Sequence, residues 1–211
     1  SGSAGGPSSS GSGGGNGGGG SATTTSGVGG SGGTPVLPYF FDDFQRADSS
    51  AVGNGWIEKN PAAFKLAAGA AVTAAVATEY KDNVVYRLDQ LLDVAVSMTV
   101  RLNTDDNKKL PILVARVDPA SINSVDAFNG YAAVLWREEN KFWMGRQINM
   151  NFVPLQDSIA DLPMPVSPTT TYRLGLKVVG VSPVKLTATL EAQLNGKWQL
   201  LLTLKHSDAT N

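Results

Sequence analysis

After residue 39 the chain alternates apolar and polar positions with a period of two. In Asp93 to Leu102 (DVAVSMTVRL), Val94, Val96, Met98, Val100 and Leu102 fall on one side, and Asp93, Ser97, Thr99 and Arg101 on the other. Successive side chains of a strand point to opposite faces, so this pattern predicts a half-buried antiparallel strand. Tyr172 to Val178 repeats it, with Arg173 and Lys177 outward. Lys185 to Ala192 and Trp198 to Leu204 predict two more strands, joined through Asn195-Gly196. That dipeptide suits the two positive-φ positions of a type I′ hairpin turn. Tyr131 to Trp136 and Lys141 to Ile148 predict another hairpin across Arg137 to Asn140. Proline punctuates Leu162 to Pro168 and excludes a long helix there. Nine alanines between Ala62 and Ala77 favour a helix, but Gly69, Val72, Thr73, Val76 and Thr78 interrupt them, and a short strand pair is the expectation. Many short strands with frequent turns indicate an all-β fold of two packed antiparallel sheets. Trp56 and Trp198, each just after a turn glycine, are expected in its core.

The pattern is absent from residues 1–34. Sixteen of the 24 glycines lie in the first 33 residues, and no charged residue precedes Asp42. Such a stretch has too little apolar surface to offset the entropy of ordering its backbone. It reads as a Gly/Ser-rich arm or linker, with residues 35–211 as one β domain. As a coil the arm would span roughly 30 Å. The other reading is ordered packing in an assembly, since glycine lets a backbone lie flat against a protein surface. The chain starts at Ser1, which is expected of a processed chain or a piece of a longer one.

Composition narrows the function. With 17 basic and 18 acidic residues the net charge is −1, no basic patch stands out, and no nucleic-acid partner is expected. Zero cysteines exclude a disulfide scaffold, a thiolate metal site and a cysteine nucleophile. No run of 18 apolar residues is present, so no membrane-spanning helix is expected.

The order of short motifs carries a resemblance. Phe41-Asp42-Asp43-Phe44-Gln45-Arg46-Ala47-Asp48 followed by Gly53-Asn54-Gly55-Trp56 resembles the opening of concanavalin A-like (laminin G-like) jelly-roll domains of bacterial and phage surface and virion proteins. In those a D-x-F-x-R-A-D strand and turn lead to a G-x-x-W element. Ala115-Arg116 before Gly130-Tyr131-Ala132-Ala133-Val134, and Tyr172 to Gly180, resemble later strands of the family. The resemblance covers roughly residues 40 to 208 and implies a two-sheet jelly-roll sandwich. Its members usually continue after an H-S-D region into a Gly-rich turn and a closing strand, whereas this sequence stops at Asn211. The resemblance therefore implies a Phe41 to Phe44 strand with an open edge, to be filled by a neighbouring subunit or a further segment.

Catalytic constellations are missing from the sequence. Glycosidases of the related fold carry an E-x-D-x-x-E strand, which does not occur here. Glu138-Glu139 reads as a solvated hairpin tip. His206, the only histidine, reads as a surface residue beside Ser207 and Asp208. No enzymatic activity and no obligate cofactor are expected. The resemblance allows Ca²⁺, held by hard oxygens from Asp105, Asp106 and Asn107 in one loop and Asp118, Asp126 and Asn129 in another. Ordinary turn chemistry explains the same residues. A sugar site needs an exposed aromatic platform with polar groups. Tyr131, Trp136, Arg137, Trp143, Arg146 and Asn149 cluster in one predicted hairpin, where Trp143, Gln147 and Asn149 share a face that looks wet and aromatic. Trp143 covering core or an assembly interface is the other reading.

Two functions follow. One is a non-enzymatic structural or display protein held by its arm on a virion or extracellular surface, as a capsid decoration or tail-fibre module, with other assembly proteins or copies of itself as partners. The other is a carbohydrate-binding adhesin module with a glycan ligand.

Overall fold

A computed structural model of the chain describes residues 40–60, 63–73, 84–87, 89, 91–103, 110–118, 121, 129–148 and 151–209. Residues 1–41 and 42–211 are separate units, and the arm lies outside the described residues. Every element among the described residues is a β-strand, and all pairings are antiparallel.

Two small sheets come first. β1 (Ile57–Glu58) pairs with β4 (Val85–Tyr86), and β2 (Phe64–Ala67) pairs with β3 (Ala70–Thr73). The alanine-rich stretch thus begins as the expected strand pair, and residues 74–77 lie outside the described set. Its turn puts Ala68 and Gly69 at φ 51° and 71°. The Ala68 N–H donates to Asp48 Oδ1 (3.0 Å), and Gln45 Nε2 donates to the Gly69 carbonyl (2.9 Å).

The remaining strands are β5 (Val94–Arg101), β6 (Ile112–Ala115), β7 (Gly130–Trp136), β8 (Lys141–Ile148), β9 (Asn151–Asp161), β10 (Thr171–Val179), β11 (Val184–Leu194) and β12 (Lys197–Asp208). They form two four-stranded sheets, β12-β11-β10-β5 and β6-β7-β8-β9. In the first, alternation decides the faces. Tyr172, Leu174, Leu176 and Val178 of β10, and Leu186, Ala188 and Leu190 of β11, are buried, while Lys177 and Lys185 are exposed. The buried set belongs to one core with Ala133 and Leu135 of β7 and Phe142 and Met144 of β8, so the two sheets share it. Sealing a side chain the size of Leu174 or Phe142 from water contributes about 1.5–3 kcal/mol each. The Asn195-Gly196 turn has both residues at positive φ (51° and 74°), as its type requires.

Two expectations are corrected, and one strand is new. Phe41 to Phe44 is not a strand. Phe44 sits at φ 59°, a left-handed conformation incompatible with one, and the nearest β contact is the Ser49–Leu66 bridge. The open edge inferred from it therefore has no basis at that segment. Trp198 is not core: it is 37% exposed, because a register shift between Leu190 and Glu191 carries it to the outer face of β12. There Arg173 stacks on its ring at 4.5 Å. β9 is a strand that alternation does not announce. It contains Pro154, which an edge strand tolerates, and a bulge around Asp157 (φ 56°). Inside that bulge the buried Ser158 hydroxyl donates to the Met144 and Leu155 carbonyls.

Candidate functional site

The motif that opens the domain forms a compact polar hub. The Asp42 side chain is 2% exposed and collects four donors. Its Oδ1 accepts from the Phe44 amide (2.9 Å) and from Arg46 Nη1. Its Oδ2 accepts from Asn54 Nδ2 (3.1 Å) and Trp56 Nε1 (2.9 Å). Arg46 also donates to the Val52 carbonyl at 2.8 Å and lies over the Phe44 ring, which meets the Trp56 ring at 6.2 Å. Burial alone would raise the Asp42 carboxyl. Arg46, the Phe44 amide, Asn54 and Trp56 more than offset this and hold it below the usual carboxylate range. Trp56 is half-buried here, apart from the shared core. These side chains are spent on one another, so the hub is a fastener.

The hairpin residues proposed for sugar binding divide between two faces. Tyr131 opposes Arg146 across β7–β8, and Val134 opposes Trp143. Tyr131 and Trp136 are five residues apart on one strand, so they point opposite ways, as do Trp143 and Arg146 at three. Tyr131 and Arg146 face the core side and meet Asp208 of β12. The Tyr131 hydroxyl donates to Asp208 Oδ2 (3.1 Å), and Arg146 Nε lies 3.7 Å from the same oxygen. Asp208 is 2% exposed. Burial, then the Asp208 hydrogen bond, pushes the Tyr131 phenol above its usual value, against a smaller pull from Arg146 and Arg116.

Trp136 and Trp143 lie on the outer face, joined by Phe152 of β9. The two indoles are 4.3 Å apart between centroids, and Trp143 meets Phe152 at 5.5 Å. Gly145 makes the seat: a Cβ there would stand 2.4 Å from the Val153 carbonyl oxygen and 2.8 Å from the Phe152 ring. This face is aromatic but not wet. Gln147 is 3% exposed, and Ala132 and Val134 on the same face are buried. Trp136 Nε1, Trp143 Nε1 and Gln147 Oε1 are buried without a hydrogen-bond partner among the described residues. Such atoms cost about 1–3 kcal/mol each and mark a place where a partner group is wanted. The face therefore offers apolar contact, with these three polar atoms lying beneath its surface.

Other proposed residues give less. Asn149, Asp105, Asp106, Asn107 and Asp126 lie outside the described residues. Asp118 and Asn129 share a turn, with the Asp118 N–H donating to the Asn129 carbonyl (2.9 Å) and Ser121 bonded to both. No group of three His, Asp or Glu side chains able to hold a metal is present among the described residues. Arg137 and the exposed Glu138-Glu139 sit in the β7–β8 turn, with Lys141 Nζ 3.2 Å from Glu139. His206 is half-buried on β12. The sequence reading missed Phe152 and Asp208 as partners. The first lies on the unannounced β9, and the second is 77 residues from Tyr131. No helix among the described residues is long and apolar enough to cross a membrane. No family model, no curated protein and no solved structure matches the chain.

Proposed function

We propose that the chain is a non-enzymatic structural or display module: a concanavalin A-like jelly-roll sandwich carried by its Gly/Ser-rich arm, one component of a virion or extracellular surface assembly. The role is that of a capsid decoration or tail-fibre module, with copies of itself among its partners. One observation carries this reading. The β6-β7-β8-β9 sheet is largely apolar on both faces, its outer side bearing Ile112, Val114, Val134, Trp136, Trp143, Phe152 and Ile159 beside Gln147 and the Lys141–Asp161 pair at one end. Ile159 is 42% exposed there. A sheet that faces water on one side alternates; a sheet apolar on both sides is made to be covered on both. Aromatic residues with few charges are also the composition of an interface core.

A second reading has its own observation. The half-buried rings of Trp136, Trp143 and Phe152, tilted 40° and 36° from one to the next, are the aromatic groups on which the apolar face of a carbohydrate ring would rest. Light scattering of the full chain and of a chain lacking residues 1–33, each with and without Trp143→Ala, tests the pair. An oligomer that Trp143→Ala dissociates, with folding intact, supports assembly. A monomer that binds a glycan array and loses binding on Trp143→Ala supports the adhesin. A monomer with neither property overturns both.

A further inference from the structure

The opposite sheet carries a charge pattern that the linear sequence hides. On the outer face of β12-β11-β10-β5, one row runs Ala95–Lys177–Thr187–Lys205, and the row beside it runs Val179–Lys185–Ser207. A third runs Ser97–Gly175–Thr189–Thr203. Neighbouring strands lie about 4.8 Å apart, so Lys177 and Lys205 flank Thr187 at a backbone separation of about 10 Å, with Lys185 two residues from Thr187 along β11. All three lysines are exposed and make no ion pair or hydrogen bond among the described residues. The nearest carboxylates are occupied elsewhere: Glu191 by Arg173 Nε and Nη2 (2.5 and 2.7 Å), and Asp93 by Arg116 (3.2 Å) and the Gly180 amide (2.9 Å).

Over the paired positions of this face there are five cations (Arg101, Arg173, Lys177, Lys185, Lys205) against one anion, Glu191. That is a local charge of +4 in a chain of net −1, leaving −5 for all other residues. Lys185, Leu186, Thr187, Lys205, His206 and Ser207 also line an open depression of about 440 Å³.

We infer that this face binds an acidic polysaccharide, a polymer bearing sulfate or uronate groups, with Lys177, Lys185 and Lys205 on the anionic groups and Thr187, Thr189 and Ser207 on sugar hydroxyls. The charge complementarity names an anionic polymer. The interleaved hydroxyls, each both donor and acceptor, select a polyol among such polymers. The contact is independent of the aromatic ladder, which lies on the other sheet.

The test is binding of the full chain to immobilised dextran sulfate, polygalacturonate, neutral dextran and duplex DNA at low and moderate salt. Binding to either acidic polysaccharide and not to neutral dextran is expected, weakening as salt rises. Lys177→Gln/Lys185→Gln/Lys205→Gln should lower the affinity about tenfold, because each exposed charge contact contributes modestly. Its melt should match the parent, since all three side chains are exposed. Lys65→Gln, on another sheet, should change nothing, and Thr187→Val should weaken polysaccharide binding with the charge unchanged. No retention on either acidic polymer, retention indifferent to the triple substitution, or tighter retention on DNA than on both polysaccharides would overturn the inference.

Discussion

Asp42→Asn is the substitution on which the hub should stand or fall. The native carboxylate holds four donors in a nearly closed setting, with the Phe44 amide and Arg46 on Oδ1 and Asn54 and Trp56 on Oδ2. Asparagine keeps one acceptor oxygen and replaces the other with an amide group that faces donors. Two charge-assisted bonds are lost, each about 1.5–3 kcal/mol. Arg46 is 32% exposed and Asn54 is exposed, so both can rehydrate, and the expected net loss is about 2–4 kcal/mol. Trp56→Phe removes one donor, keeps a ring against Phe44, and should cost about 1–2 kcal/mol. Because the two share a bond, their combined cost should fall short of the sum by about 0.5–2 kcal/mol. Urea unfolding followed by far-ultraviolet circular dichroism gives these numbers. The sign of the pH dependence is fixed by the lowered Asp42 pKa. Its stabilisation is complete above the usual carboxylate value, about 4, and disappears as pH falls through the lower folded value. The gap between parent and Asp42→Asn should therefore be full at neutral pH and narrow in acid. An Asp42→Asn protein within about 0.5 kcal/mol of the parent at neutral pH, or a gap that persists in acid, would refute the hub as a fastener.

Three further outcomes are expected. Tyr131→Phe removes the donor to the buried Asp208 and should cost about 1–2 kcal/mol. Since the Tyr131 pKa is raised, its share of stability is present below about 10 and lost as pH climbs through the folded value, so an alkaline unfolding series should flatten in the variant. Gly145→Ala drives a Cβ to 2.4 Å from the Val153 carbonyl oxygen and should cost about 3 kcal/mol, whereas Gly196→Ala, with nothing within 4 Å but φ at 74°, should cost only about 1–2 kcal/mol of backbone strain; melting temperatures that rank them the other way would contradict the packing of β8 on β9. Deleting residues 1–33, which carry no charged side chain and fall within the separate unit 1–41, should leave the urea transition within about 0.5 kcal/mol of the parent, and a larger shift would mean that the arm joins the core.

The strands that announced themselves are those with one wet face. Val94 to Arg101, Thr171 to Val179 and Val184 to Leu194 alternate because water takes every second side chain, and their pairing follows. Asn195-Gly196 was legible for the same local reason: the turn demands what only a few residues supply. β9 was not, because Pro154 and the bulge at Leu155 to Ser158 break the period that a reader looks for. Trp198 followed the same logic of failure. One register shift opposite Leu190 and Glu191 reverses the face, and a glycine nearby says nothing of it. The motif Asp42 to Trp56 was visible as a string, but its meaning required the fold, since only there do Asp42, Arg46, Asn54 and Trp56 converge.

The two sheets also show why function is harder to read than fold. Tyr131, Trp136, Trp143 and Arg146 look like one cluster when counted along the hairpin, yet their odd spacings put Trp136 and Trp143 outside and Tyr131 and Arg146 toward Asp208. Parity alone contained that division. The basic face contains no comparable signal: Lys177, Lys185 and Lys205 sit on three strands, and only the register brings them together around Thr187. A patch that exists across strands leaves no run of like charge along the chain, so a net charge of −1 and scattered lysines never excluded it. The two outer faces thus differ in kind, one aromatic and nearly uncharged, the other basic, with hydroxyls around the lysines and Trp198 and Leu200 farther along β12. A module with both would use the first to seat itself in an assembly and leave the second toward a charged matrix. Trp143→Ala and the triple lysine substitution should therefore act on separate readouts, with neither impairing the other.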